Sequence, residues 1–367
     1  MPPAMLVSGS LRSVFLYDLS EEIRLDALVT LLQAPAPRHE PSARHLAPDY
    51  VRFERPPVVE AIAPRTLDNG DRLECQANYY DYGVISIEFE LAFRAEWERL
   101  PQLAAQWVST PDLERSAAGI VSALAQRIRP ALVKPYDYRL SEDYYIFQIR
   151  PILGENGMAL TAADLTTTYG ADLARMVRGE AVALSREEQT EVLQSRLSYY
   201  PSDLLVVGWN AALIYDTDEG SAATIQLLKY ANSQLLEFRH YDHVLSALLD
   251  QVYDSLSSGT GFFSRWRKVR EAERLSAMRL DVRELTERVD NSIKFLSDTF
   301  SARIYRLAAA RIGVPDYRRL VDEKLKTTGE LYQFMMDRFH HGRAFVLELM
   351  VVIILIIELV YLFRGKR

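Results

Sequence analysis

Arg72–Phe93 reads RLECQANYYDYGVISIEFELAF, and this stretch decides the fold class. Two strand-like runs, RLECQANYY and VISIEFELAF, meet at a turn near Asp81–Gly83, the pattern of a β-hairpin. Upstream, residues 11–17 (LRSVFLY) alternate as a strand, and Leu25–Leu32 has helical spacing. Residues 34–66 are rich in proline and read as a loop or extended excursion. Downstream, Leu100–Ile128 is helical with a break at Pro111, and Tyr144–Arg150 (YYIFQIR) is a further strand. The resulting order, β-α-β-β-α-β, predicts an α+β body with a ferredoxin-like or related mixed sheet.

Ala162–Val177 and Arg186–Leu193 then read as helices. Asp203–Tyr215 (DLLVVGWNAALIY) reads as a hairpin that could extend the first sheet. From residue 221 the pattern turns helical throughout. Ala222–Leu256 is a long apolar-periodic helix, and Ser257–Gly261 (SSGTG) interrupts it. Leu275, Met278, Val282, Leu285 and Val289 step by three and four residues, a coiled-coil seam that continues loosely through Leu296, Phe300, Ile304 and Leu307. An antiparallel helical hairpin within one subunit explains the same stripe. Gly313 and Pro315 end it, and a last helix starts near Asp316.

Residues 344–363 read AFVLELMVVIILIIELVYLF. Twenty helical residues span about 30 Å, the thickness of a bilayer's hydrocarbon core, so this run predicts one C-terminal transmembrane helix. Arg343 bounds it on one side, and Arg364, Lys366 and Arg367 on the other. Glu348 and Glu358 lie within it, where a charge at mid-bilayer costs on the order of 2.5 kcal/mol or more. They predict a helix-packing face in an oligomer, with Glu348 near a neighbour's Arg343. The expected organisation is therefore an α+β cytoplasmic body over 1–220, with a sub-boundary near 150–160. A long-helix and coiled-coil region over 221–312, a basic membrane-proximal helix over 313–343 and the anchor over 344–363 follow.

The 367 residues are 49% hydrophobic and 25% charged, with a formal net charge of −7. Counting along the chain, residues 1–302 carry −12 and residues 303–343 carry +4. An acidic body argues against general nucleic-acid binding, and a basic stalk suits an anionic lipid surface. One cysteine, Cys75, excludes an intramolecular disulfide framework and a cysteine-rich zinc site. The N-terminus has no basic segment followed by a long apolar stretch, so the body is expected to stay on the side of synthesis.

Catalytic signatures are absent: there is no phosphate-binding GxxxxGK[ST] loop, no GxGxxG, no HExxH and no GxSxG. No catalytic, cofactor-binding or metal-binding residue is therefore assigned. Glu237-Phe-Arg239-His240-Tyr241-Asp242-His243 concentrates polar groups on one helix. His240 and His243 at i and i+3 would need a third ligand, such as Asp242 or Glu237, to hold a metal. The cluster reads first as ordinary helix pairing.

Two stretches together resemble the YagE-like family of uncharacterised bacterial proteins, which includes the eukaryotic "required for meiotic nuclear division" proteins. One is Leu235-Leu236-Glu237-Phe238-Arg239-His240-Tyr241-Asp242; the other is Leu347-Glu348 with Glu358, Leu359 and Val360. Leu204–Tyr215 with Asp216 is similar to the family's segment before its long helix. The resemblance covers 160–367 best. It implies a single-pass, C-terminally anchored homo-oligomer, since mitochondrial relatives sit in the inner membrane and support translation as scaffolds. The first residues of this chain are not expected to act as a transit peptide, and Leu349 stands where the family has an aromatic residue. The expectation is a non-enzymatic, tail-anchored scaffold in a bacterial inner membrane. Its partners would be the bilayer, further copies of itself and a cytoplasmic protein. The alternatives are a membrane tether or remodelling protein, or a membrane-anchored enzyme or ligand sensor with a site near Glu237–His243.

Overall fold

In the computed structural model the described residues are 5–32, 56–67, 70–137, 139–154, 157, 159–257 and 299–331, with single positions 280, 333, 352, 354 and 355. The elements run β1 (Leu6–Asp18), β2 (Ser20–Ile23), α1 (Leu25–Leu32), β3 (Val58–Thr66), β4 (Arg72–Tyr79) and β5 (Val84–Glu96). Next come α2 (Leu100–Val108), α3 (Pro111–Arg127), β6 (Leu132–Pro135) and β7 (Ser141–Ile149). They are followed by α4 (Ala162–Arg178), α5 (Arg186–Gln194), β8 (Arg196–Leu197), β9 (Leu204–Val207) and β10 (Ala211–Tyr215). The long α6 (Asp218–Ser257), α7 (Thr299–Ile312) and a helix over 314–331 complete the described chain.

Eight strands form one mixed sheet in the order β3-β4-β5-β1-β7-β10-β9-β8, and β2 pairs with β6 separately. The strands expected from sequence stand in it as β4-β5-β1-β7, all antiparallel, with Val14 opposite both Glu88 and Tyr144. The later hairpin does extend the sheet, with β10 parallel to β7 and β9 antiparallel to β10, so the ferredoxin-like reading is corrected to a larger mixed sheet. The edge strand β3 lies where the sequence reads as a loop. Its register shifts between Ile62 and Arg65, and Pro64 sits in that irregularity. Proline cannot donate to a ladder, and it is tolerated at edges and bulges.

The contacts divide the chain into two compact units, Met1–His240 with Thr286–Arg318, and Tyr241–Leu285 with Arg319–Arg367. In the first unit, period-two alternation sends Leu11, Phe15, Ile87, Phe89 and Phe147 to one face of the sheet. There they join the core beneath α2, α3, α4 and α5, with Trp107, Leu113, Leu173 and Val192 buried in it. Helix α4 is delimited by chemistry visible in the sequence. Thr161 and Asp164 make a reciprocal capping box, and Gly179, at φ 66°, ends the helix.

The opposite face carries Ser10, Arg12, Gln76, Asn78, Ser86, Glu88 and Gln148, yet most of these are buried. The first half of α6 lies over it and is buried on nearly every side from Leu227 to Phe238. Glu88 is the centre of the contact. Its carboxylate accepts from Arg12 Nη1 at 2.6 Å, Gln76 Nε2 at 2.9 Å and Lys229 Nζ at 2.8 Å. Arg12 also donates to Glu90 at 2.6 Å. Burial disfavours the Glu88 charge, but Lys229 and Arg12 outweigh it and bring the carboxyl down to about 2. Flanking contacts are polar too: Tyr82 and Ser233 share a hydrogen bond at 2.6 Å, and Gln148 Nε2 donates to Asp218 at 2.9 Å.

Two expectations are corrected. Among the described residues no helix is long and apolar enough to cross a membrane. Helix α6 has the length, but Lys229, Glu237, Arg239 and Asp242 interrupt its apolar character. For the described residues this corrects the single-pass, tail-anchored reading and the inner-membrane location built on it. The run 344–363, with Arg343, Glu348 and Glu358, falls outside the described residues apart from Val352, Ile354 and Leu355. Among the described residues no coiled coil is formed either. Leu275, Met278, Val282, Leu285 and Val289 lie outside the described residues. Ile304, from the continuation of the stripe, is instead buried in the first unit with Ala302, Tyr305 and Ala308.

Two predictions follow from this packing. Gly83 holds φ +95°, and a Cβ there would stand 1.7 Å from the Ser20 carbonyl oxygen; Gly70, at φ +89°, has open space. Gly83→Ala should cost about 3 kcal/mol or more in denaturant unfolding, and Gly70→Ala about 1 kcal/mol. The second concerns the buried ions. Lys229→Met should cost about 3–5 kcal/mol, because it strips the Glu88 carboxylate of a charge partner. Since the folded-state carboxyl is depressed, its contribution is complete above the unfolded value of about 4.3 and is lost as pH falls toward 2. Glu88→Gln should therefore flatten the acid limb of the stability–pH curve over that window.

Candidate functional site

Where β9 begins and β10 ends, the first unit contains a cavity of about 270 Å³. Tyr215 closes β10, Asp216 and Thr217 turn the chain, and α6 starts at Asp218. The cavity thus lies at the carboxyl end of β10, which runs parallel to β7, and beside the start of a helix. Ligands of open sheets containing parallel strands commonly bind in such a place. Phe300, Ser301 and Ile304 of α7 line another side, and Ala223 and Thr224 of α6 reach it one turn into the helix.

The rim is built by a loop that a carboxylate organises. Asp203 accepts from the backbone N–H of Tyr199 at 2.8 Å and of Tyr200 at 2.9 Å. The two tyrosine rings meet edge to face at 4.7 Å, and Tyr199 tilts onto Phe300 at 4.9 Å. Both tyrosines are about half exposed. Tyr215 contributes its ring, but its hydroxyl is occupied, receiving the Ile152 N–H at 2.9 Å and donating to the Leu160 carbonyl at 3.1 Å.

Asp216 is the polar centre. Its Oδ1 accepts the Thr217 N–H at 2.7 Å, and Thr217 Oγ1 accepts the Gly220 N–H at 3.1 Å. A Cβ on Gly220 would stand 2.4 Å from Asp216 Oδ2, so the missing side chain lets the carboxylate lie against the first turn of α6. Burial pushes the Asp216 carboxyl above its ordinary value, and the nearby Asp203 charge adds to this against the Thr217 backbone contact. Glu219 supplies a third carboxylate, and no Lys, Arg or His lines the cavity among the described residues. The neighbouring Asp218 is different: Arg150 Nε donates to it at 2.9 Å and lowers its carboxyl.

The residues singled out from sequence lie elsewhere. Leu236 is fully buried, and Glu237 is buried. Arg239 pairs with Glu142. His240 Nδ1 stands 2.7 Å from Asp18 Oδ2 while its ring stacks on Tyr136 at 4.2 Å, and burial raises the Asp18 carboxyl against the pull of His240. In the second unit Asp242 pairs with Lys324 at 2.5 Å; Tyr241 and His243 follow His240 across the unit boundary. The cluster thus serves as packing and ion pairing. Among the described residues no group of three or more His, Cys, Asp or Glu side chains could hold a metal ion.

Sequence reasoning missed Asp203, Glu219, Ala223 and Thr224, and noted Asp216 only as a neighbour of the strand. The signal available was Asp216-Thr217-Asp218-Glu219-Gly220 between a buried strand and a helix, a run that reads simply as a helix start.

Comparisons with known proteins correct the family reading. A family model described as "Uncharacterized protein MJ0711, N-terminal domain" matches residues 8–222, from β1 into the start of α6. An uncharacterised protein of the archaeon Methanocaldococcus jannaschii, MJ0711, is 19% identical over 188 residues. That alignment takes in 51% of this chain and 58% of the relative, so the chain spans less than two thirds of that relative's length. No solved structure matches the chain. The relative is archaeal and uncharacterised, which gives no ground for a bacterial, tail-anchored assignment, and neither finding establishes a YagE-like or meiotic-division relationship. With the match covering more than half of its length, the chain belongs to the family of the MJ0711 N-terminal domain.

Proposed function

We propose that the protein is a binding scaffold whose α+β body takes a small molecule in the cavity between Tyr199, Asp216, Thr224 and Phe300. The observation that carries this reading is the cavity itself. It is concave, part aromatic and part polar, and set on the ends of a sheet strand and two helices. At about 270 Å³ it falls just below the ~300–1,000 Å³ range of larger ligand sites, which fits a metabolite-sized guest. The platform beneath it is suited to holding that geometry. Arg12 and Lys229 both pair with Glu88 under α6, and the same helix begins at the cavity wall. The relationship to YagE-like scaffolds is the finer form of this reading, and it rests on the Leu235–Asp242 and Leu347–Val360 patterns of the sequence.

A thermal-shift screen with small amines, acids, alcohols and amides tests the proposal. A guest at a hundred times its Kd adds about 2.7 kcal/mol, or a rise of about 5–10 °C for a domain of this size. Ala223→Phe, which fills the cavity from a partly exposed position, should fold and lose the shift. Equal shifts in both proteins, or none in either, would count against the cavity as the site.

A further inference from the structure

We propose that the cavity guest is a small organic cation, an ammonium group on a short hydrocarbon body. This rests on the cavity being the binding site, and it adds the ligand's chemical class. Four observations converge. Asp203, Asp216 and Glu219 all line the cavity, and no cationic side chain among the described residues does. Asp216 has no ion-pair partner among the described residues, so its Oδ2 stands against the first turn of α6 without a charge to balance it. Thr224 also lines the cavity. The residue is 9% exposed, and its hydroxyl makes no hydrogen bond among the described residues, so it offers an acceptor on the cavity wall to an ammonium N–H. The remaining wall is apolar and aromatic, with Tyr199, Tyr200, Phe300 and Ile304 available to hydrocarbon and, through the rings, to positive charge.

The start of α6 argues the other way, because a helix N-terminus favours anions. Its macrodipole amounts to roughly half a unit charge. Three carboxylates outweigh that, and part of the first-turn N–H capacity is already taken by Thr217 and its neighbours. A bare metal ion is a poorer fit than an organic cation. Among the described residues no group of three or more ligating side chains is close enough to coordinate one.

Calorimetric titration of the full chain at pH 7 and low salt tests the class, with butylammonium, tetramethylammonium, 1-butanol and butyrate as probes. Butylammonium should bind saturably and at least tenfold more tightly than 1-butanol or butyrate. Asp216→Asn should weaken it tenfold or more. Thr224→Val should weaken butylammonium several-fold but leave tetramethylammonium unchanged, because the latter has no N–H to donate. Should Asp216→Asn fail to fold by circular dichroism, the exposed Glu219→Gln variant replaces it, with an expected loss of about threefold. Binding of 1-butanol or butyrate as tightly as butylammonium, abolished by Ala223→Phe, would overturn the cationic class while leaving the cavity as the site. Absence of binding by all four probes would overturn the class, and an empty thermal-shift screen beside it would remove the cavity reading as well.

Discussion

Burying an ammonium and a carboxylate together sets the terms for the rest of this body. Lys229 sits on a stretch of α6 that has almost no solvent on any side, so it cannot snorkel out, and Glu88 is equally enclosed. Removing such ions from water costs several kcal/mol each, and the cost is recovered only with close pairing and complete hydrogen bonding. Here Arg12 and Gln76 complete the set around Glu88. One contact therefore specifies three strands and a helix at once. A one-residue slip of β5 would turn Glu88 into the apolar core under α2 and α3 and leave Lys229 without its partner. Hydrophobic burial supplies the larger part of the stability, while this group decides which register and which helix position are acceptable.

The cavity is a consequence of how α6 must begin. To place Lys229 over Glu88, the helix has to start directly after β10, with a two-residue turn between them. That turn puts Asp216 against the first helical turn, where Gly220 leaves space for its carboxylate. Helix α7 packs over the same helix through Tyr305, whose ring meets Tyr230 and whose hydroxyl bonds Gln234. Phe300, five residues earlier, and Ile304, the residue before Tyr305, then form the far wall of the cavity. The arrangement that neutralises the charges of the sheet thus leaves three carboxylates with no ion-pair partner among the described residues at one end of it.

Much of the framework was legible in the sequence because it obeys short-range rules. The alternation in 72–93 and 144–150, the break at Pro111 and the helix over 162–177 each depend on neighbours within a turn or a strand. All of these elements appear within a residue or a few of their expected ends. The edge strand β3 was obscured by Pro64, whose presence reads as a loop until the bulge that accommodates it is seen. The apolar stripe running into Ile304 was legible as a helix face but not as a partnership. A face with apolar residues every three or four positions packs equally well on another copy, on a second helix or on the edge of a sheet.

The sequence by itself determined the α+β class, the hairpins, most helices and the acidic character of the body, since periodicity and local turn chemistry are written residue by residue. Tertiary structure alone decided that the sheet has eight strands, that α6 covers its polar face and that Glu88 meets Lys229 across 141 positions. It also decided that Asp203, Asp216 and Thr224 share a cavity while the more conspicuous Glu237–His243 cluster supplies packing and ion pairs. The physical reason is range. Secondary structure follows from bonds between near neighbours, whereas the burial of a charge or the opening of a cavity depends on which distant segment the packing brings beside it.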